Sequence, residues 1–294
     1  MQITSENFTV QNDSEDIFLP DLGIKANRQK HKFLLESDGL DLCKKLLQVP
    51  HTQFTITNEG TIRIHIGGLV LDLQAYCEIF VLHEIFFAGT YNILTPKDIV
   101  VWDIGMNVGI ASLYFASKEN VIDVFSYEPF PATYELAKHN LALNPTLAEK
   151  IQAHNYGIGA DKRTVTVDYC LAWHGSSTLT GFPQFIQERD DLIQQDITLV
   201  SAGDILESIR SKHPGVDIIA KIDCEGAEYE IIQSLYASKK LQHLQAVLFE
   251  WHKPEKNQEL QQFFLESGFN LLYFNLYHEY GVGMAYAFKH SPKG

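Results

Sequence analysis

From Asp98 onward, short β-branched runs alternate with amphipathic stretches of helical period, and few architectures accept that alternation. It calls for βαβ units, in which parallel strands are joined by crossover helices that cover the sheet. The spacing predicts strands at 99–104, 123–128, 151–155, 217–222 and 246–250. Helices are predicted at 110–118, 132–143, 201–211, 227–235 and 258–267. A short extra strand at 164–170 leads into a Gly/Ser loop, and 270–275 with 284–288 read as a terminal antiparallel pair.

Before Asp98 the pattern differs. Residues 1–30 read as a loose polar arm and 32–49 as one helix with an apolar face. Residues 54–57 and 62–66 flank Asn58-Glu59-Gly60 as a hairpin, 69–73 extends it, and 79–87 reads as a helix. The organisation expected is therefore a small N-terminal α+β cap over 1–83 and a main α/β domain over 84–294.

Net charge and cysteine usage exclude several partners. At −14 the chain has no general basic field for phosphate backbones, so nucleic acid is not expected. No basic start precedes an apolar run, and no apolar stretch is long enough to span a bilayer. The four cysteines, Cys43, Cys77, Cys170 and Cys224, show no zinc or disulfide spacing, which fits reduced thiols in the cytoplasm.

The first strand runs into Asp103-Ile104-Gly105-Met106-Asn107-Val108-Gly109. Gly105 and Gly109 permit a tight turn and close approach of a ligand. A dinucleotide site would place G-x-G-x-x-G here, with the pyrophosphate on the helix N-terminus. Asp103 would repel a pyrophosphate but suits the ammonium end of an amino-acid-like ligand. S-adenosylmethionine carries an ammonium and a sulfonium and no phosphate, so charge favours it over NAD. The second strand ends in Glu128, placed to bind ribose hydroxyls. Asn155-Tyr156-Gly157 ends the third, where Tyr156 and Gly157 are expected to line the adenine.

Methyl transfer is an in-line displacement that depends on alignment, and an alcohol acceptor also gains from a nearby base. The fourth strand delivers Lys221-Ile222-Asp223-Cys224-Glu225-Gly226-Ala227-Glu228, and the fifth ends in Glu250-Trp251-His252. Asp223 with His252 is expected to hold the acceptor hydroxyl, Glu250 to orient the imidazole, and Glu225 to touch the acceptor. Glu228 reads as complementing the dipole of the following helix. In the Gly/Ser loop, Ser176 is assigned to the cofactor and His174 to the acceptor. A divalent cation among these acids stays open as an alternative, but no dedicated ligand spacing predicts a metal.

The glycine turn, Tyr127-Glu128-Pro129, the K-I-D-x-E-G-A-E string and Glu250-x-His252 together resemble the FkbM family of methyltransferases over residues 84–275. The resemblance implies a class I Rossmann-like fold, a mostly parallel seven-stranded sheet with an antiparallel C-terminal strand. It also implies S-adenosylmethionine as donor and O-methylation of a sugar or secondary-metabolite hydroxyl, as in natural-product biosynthesis. Alternatives are N-methylation of a peptide or amine and an NAD-dependent oxidoreductase. Residues 1–83 lie outside the resemblance and are expected to cap the substrate side or form an oligomer contact, which leaves a homodimer open.

Overall fold

The structure, a computed structural model of the 294-residue chain, describes residues 15–170, 191–252, 254–277 and 282–289. The chain divides into two compact units, 1–90 and 91–294.

In the first unit, β1 (Asp16–Leu19) and β2 (Ile24–Asn27) form an antiparallel hairpin. It lies where a loose arm was expected, because Ile17, Leu19, Ile24 and Ala26 alternate and bury one face. Two short helices follow, α1 (Lys32–Leu35) and α2 (Gly39–Leu46), in place of the single helix expected over 32–49. The break falls at Ser37, which takes a φ of 51°. A three-stranded antiparallel meander is built from β3 (Gln53–Ile56), β4 (Ile62–Ile66) and β5 (Leu69–Leu73). Next, α3 (Tyr76–Leu82) continues into a π-helical turn, His83–Phe87. A boundary after 83 would cut this continuous helical stretch, and the division comes at Thr90 instead.

In the second unit the strands are β6 (Ile99–Ile104), β7 (Val121–Tyr127) and β8 (Ile151–His154). Between them run α4 (Ile110–Ala116), α5 (Pro131–Ala142) and the short α6 (Pro145–Ala148). A separate three-stranded sheet holds β9 (Gly157–Gly159), β10 (Arg163–Tyr169) and β11 (Ile193–Ser201), with β11 antiparallel to β10 and parallel to β9. The chain then alternates α7 (Ala202–Lys212), β12 (Asp217–Ile222), α8 (Glu228–Ala237), β13 (Ala246–Trp251) and α9 (Asn257–Glu266). It closes with β14 (Phe269–Tyr277) and β15 (Val282–Lys289). The principal sheet has seven strands in the order β14-β15-β13-β12-β6-β7-β8, and β15 alone runs against its neighbours.

β6 is buried along its whole length because helices cover both faces. On one face Trp102, Phe125, Phe249 and Trp251 pack with Leu206 of α7, Ile231 and Leu235 of α8, and Phe264 of α9. On the other face Asp103 meets Ser112 of α4. The register pairs Ile104 with Tyr127 and with Ile222, and Ile222 with Phe249. β6, β7 and β12 therefore end at one level, β13 runs two residues past it, and the residues that follow these strands share one edge. Among the described residues no helix is long and apolar enough to cross a membrane.

Phe249, fully buried and stacked on Phe264 at 5.4 Å, ties the sheet to α9. Phe249→Ala should destabilise the protein by about 3–5 kcal/mol in denaturant unfolding.

Candidate active site

The turn after β6 is fixed by backbone bonds. Gly105, Asn107 and Gly109 take φ values of 83°, 52° and 85°. The amides of Gly105 and Met106 donate to the Tyr127 carbonyl at 3.1 and 2.9 Å. Glu128 receives the Asn107 amide on one oxygen and the Phe130 amide on the other, both at 3.0 Å. A Cβ at Gly105 would lie 1.7 Å from the Asp223 carbonyl oxygen. The glycine expected to admit a ligand is thus required first by the neighbouring strand end.

Asp103 differs from its expected role. Its carboxylate is fully buried, accepts from Ser112 Oγ at 2.5 Å and lies 3.3 Å from Lys221 Nζ. Lys221 faces Asp103 in the parallel register and is itself only 2% exposed. Burial pushes the Asp103 carboxyl upward, against the pull of Lys221 and Ser112. Its charge is matched inside the fold rather than held out for a ligand's ammonium. Removing one member of such a pair leaves an uncompensated buried charge, typically at a cost of about 3–5 kcal/mol. Asn107 Oδ1, buried beside Glu128, is one of several buried acceptors without a hydrogen-bond partner among the described residues; Asp103 Oδ1 is another, but it faces the Lys221 ammonium.

On the acceptor side, Lys221 Nζ lies 3.6 Å from Asp223 Oδ2, and the Tyr91 hydroxyl donates to that same oxygen at 3.1 Å. Burial would raise the Asp223 carboxyl, but Lys221, Glu250, His252 and Tyr91 outweigh it and hold the group below the usual carboxylate range. With 27% of its side chain exposed, Asp223 is a carboxylate that a ligand can still reach. Glu225, at φ 52°, is raised by burial and pairs with His252.

His252 departs most from the expected chemistry. Its Nε2 lies 3.1 Å from Glu225 Oε2 and its Nδ1 3.1 Å from Glu228 Oε1. Burial opposes charging, yet the two carboxylates win and raise the group to about 12. An imidazole bridging two glutamates is a held imidazolium, not a base oriented by Glu250. Glu228 is fully buried and also accepts from the amides of Gly226 at 2.7 Å and His252 at 3.2 Å. It stands in the first turn of α8, where its charge complements the helix dipole as expected, and these contacts make it an anchor for the strand end as well.

The residues expected on the adenine side have packing partners of their own. Tyr156 packs in an aromatic group with Tyr127 and His154, at centroid distances of 5.5 and 5.3 Å. Gly157 begins β9 instead of ending the third strand, and a Cβ there would press Leu199 at 2.7 Å and Pro129 at 3.2 Å. Packing therefore accounts for this glycine. His174 and Ser176 lie outside the described residues. Sequence reasoning assigned no role to Tyr91 or Lys221. Tyr91 carries no local motif, whereas a lysine inside the apolar run of β12 is itself a signal, since a buried ammonium needs a partner.

Among the described residues no group of three or more His, Cys, Asp or Glu side chains is placed to hold a metal ion. The Lys221 ammonium and the His252 imidazolium are interleaved with the acids, which opposes a dication on charge grounds.

This sheet order, with a glycine turn after its central strand and an acid after the next, defines a class I, Rossmann-like methyltransferase domain. Residues 103–271 match the methyltransferase FkbM domain, and the chain belongs to that family of methyltransferases. It is 26% identical over 181 residues to methyltransferase sdnD of Sordaria araneosa, covering 53% of this chain and 68% of that protein. It is 24% identical over 157 residues to the hexuronic acid methyltransferase AglP of Haloferax volcanii, covering 53% of this chain and 57% of that protein. The structure of methyltransferase FkbM from Methylobacillus flagellatus aligns with a TM-score of 0.44 at 15% identity, covering 72% of this chain and 51% of that one.

A group whose folded pKa is raised stabilises fully below its unfolded value, here near 6.5, and loses that contribution as pH climbs through its folded value, about 12. The stability advantage of the protein over His252→Gln should therefore shrink between pH about 7 and about 10, by at most about 1.4 kcal/mol per unit. Denaturant titrations at several pH values would measure it, and a constant difference would mean that His252 is neutral.

Proposed function

We propose that this chain transfers a methyl group from S-adenosylmethionine to a hydroxyl of a small molecule, a sugar or a secondary metabolite. The observation that carries the reading is the meeting, at one sheet edge, of an acceptor-rich glycine turn and the reachable carboxylate of Asp223. The turn presents Glu128 and Asn107 Oδ1, which suit a ligand that brings hydroxyl or ammonium donors. Such a donor set fits S-adenosylmethionine better than a pyrophosphate.

When bound, the cofactor supplies a methyl group on a positively charged sulfur, open to attack from the side opposite the leaving thioether. Glu128 would hold the ribose hydroxyls, and Asn107 Oδ1 would accept from a donor beside it. Asp223 would accept the hydrogen bond of the acceptor hydroxyl and take its proton as the oxygen attacks. Tyr91 orients that carboxylate, and Glu250 lies next to it. His252 acts at one remove: clamped by Glu225 and Glu228, it fixes the strand ends that carry Asp223 and Glu250. Identification of AglP as a hexuronic acid methyltransferase favours a sugar among the acceptors.

Titration calorimetry with S-adenosylhomocysteine should show micromolar binding, weakened about tenfold or more by Asn107→Ala and by Glu128→Ala, with NAD silent. With labelled S-adenosylmethionine and a panel of hydroxylated sugars, Asp223→Asn should lower kcat by about 100-fold or more while S-adenosylhomocysteine affinity holds. Absence of binding by the unaltered protein would remove the cofactor reading. Full turnover by Asp223→Asn would remove the base.

A further inference from the structure

We propose that Lys221 is a positioning residue whose buried ammonium ties the glycine turn to Asp223, so that one side chain sets both the turn's geometry and the ionised state of Asp223. The placement of Asp223 as the acceptor-side group rests on the function proposed above; the contacts of Lys221 do not. Its Nζ meets four acceptors drawn from two strand ends. On the β6 side these are Asp103 Oδ1 at 3.3 Å and the carbonyls of Gly105 at 2.5 Å and Ile104 at 3.4 Å. On its own strand's side it is Asp223 Oδ2 at 3.6 Å. The Tyr91 ring lies 5.8 Å below the same ammonium, and the Tyr91 hydroxyl holds the oxygen of Asp223 that Lys221 faces.

The neutralisation of Asp103 explains only one of these contacts. Drawing on the Gly105 carbonyl fixes the turn at the glycine whose Cα abuts the Asp223 carbonyl. A lysine that merely balanced a buried acid would have no reason to reach both the turn's backbone and a second carboxylate. The groups that bear on Asp223 are Lys221, Tyr91, Glu250, His252, Asp103, Cys224 and Glu225. Of the two cations among them, Lys221 has the stronger effect on its titration. Without it, Asp223 should hold its proton to higher pH.

The test separates positioning from charge balance by comparing Asp103→Asn alone with Lys221→Met/Asp103→Asn. In the double variant no buried aspartate is left opposite the missing ammonium, so the fold has a route to survive where Lys221→Met alone invites collapse. Thermal unfolding establishes that both variants are folded. Asp223 is then titrated by carbon-13 NMR on aspartate-labelled protein, its resonance identified with Asp223→Asn, and S-adenosylhomocysteine binding is measured by calorimetry. Relative to Asp103→Asn, the double variant should titrate Asp223 at least one pH unit higher and bind S-adenosylhomocysteine at least tenfold more weakly. If either quantity stays at its Asp103→Asn value, Lys221 serves only to neutralise Asp103 and the proposal falls. If the unaltered protein binds no S-adenosylhomocysteine, the cofactor reading fails on its own, and the Asp223 titration still decides the role of Lys221.

Discussion

A buried ammonium in the central strand of a parallel sheet must find negative partners, and that demand organises this molecule. Lys221 has almost no access to water, so its charge is matched by Asp103 across the strand register and by Asp223 two residues on. The two acids belong to different halves of the site. Asp103 underlies the turn beneath which Ser112 and Ser126 complete a buried hydroxyl chain. Asp223 stands at the mouth, where a ligand can reach it. The parallel register makes this meeting geometrically necessary, because side chains at paired positions of neighbouring strands share a face.

A second clamp works at the adjoining strand end by the same electrostatics. His252 sits between Glu225 and Glu228, and the buried Glu228 also accepts two backbone amides. Positive charge is thus fixed at two points within an otherwise acidic edge. Each cation holds carboxylates in place, leaving Asp223 and Glu225 partly exposed while Asp103 and Glu228 are closed off. Such prearrangement suits a reaction whose demand on the protein is alignment rather than bond polarisation.

The central sheet was legible because its signals are local. β6 and β12 are near-continuous apolar runs bounded by polar residues, and they form over the residues that the pattern indicates. The glycine turn and Glu128 announce themselves by spacing along one segment. What stayed hidden depends on distant pairing. β11 reads as polar because it alternates in a small sheet with one face exposed, and β9 is only three residues long. The hairpin of β1 and β2 is too short to stand out from a polar arm, and the helix expected over 32–49 conceals a left-handed residue at Ser37.

The sequence by itself determined the parallel α/β class, the turn that begins the site and the acids that surround it, since each of these lies within one short stretch of chain. Only the tertiary structure decided how those groups divide their work. Charge pairing acts through space, so no spacing along the chain could show that Lys221 would neutralise Asp103, that Tyr91 would reach Asp223 across 132 positions, or that His252 would be captured as a cation by Glu225 and Glu228 instead of serving as a base.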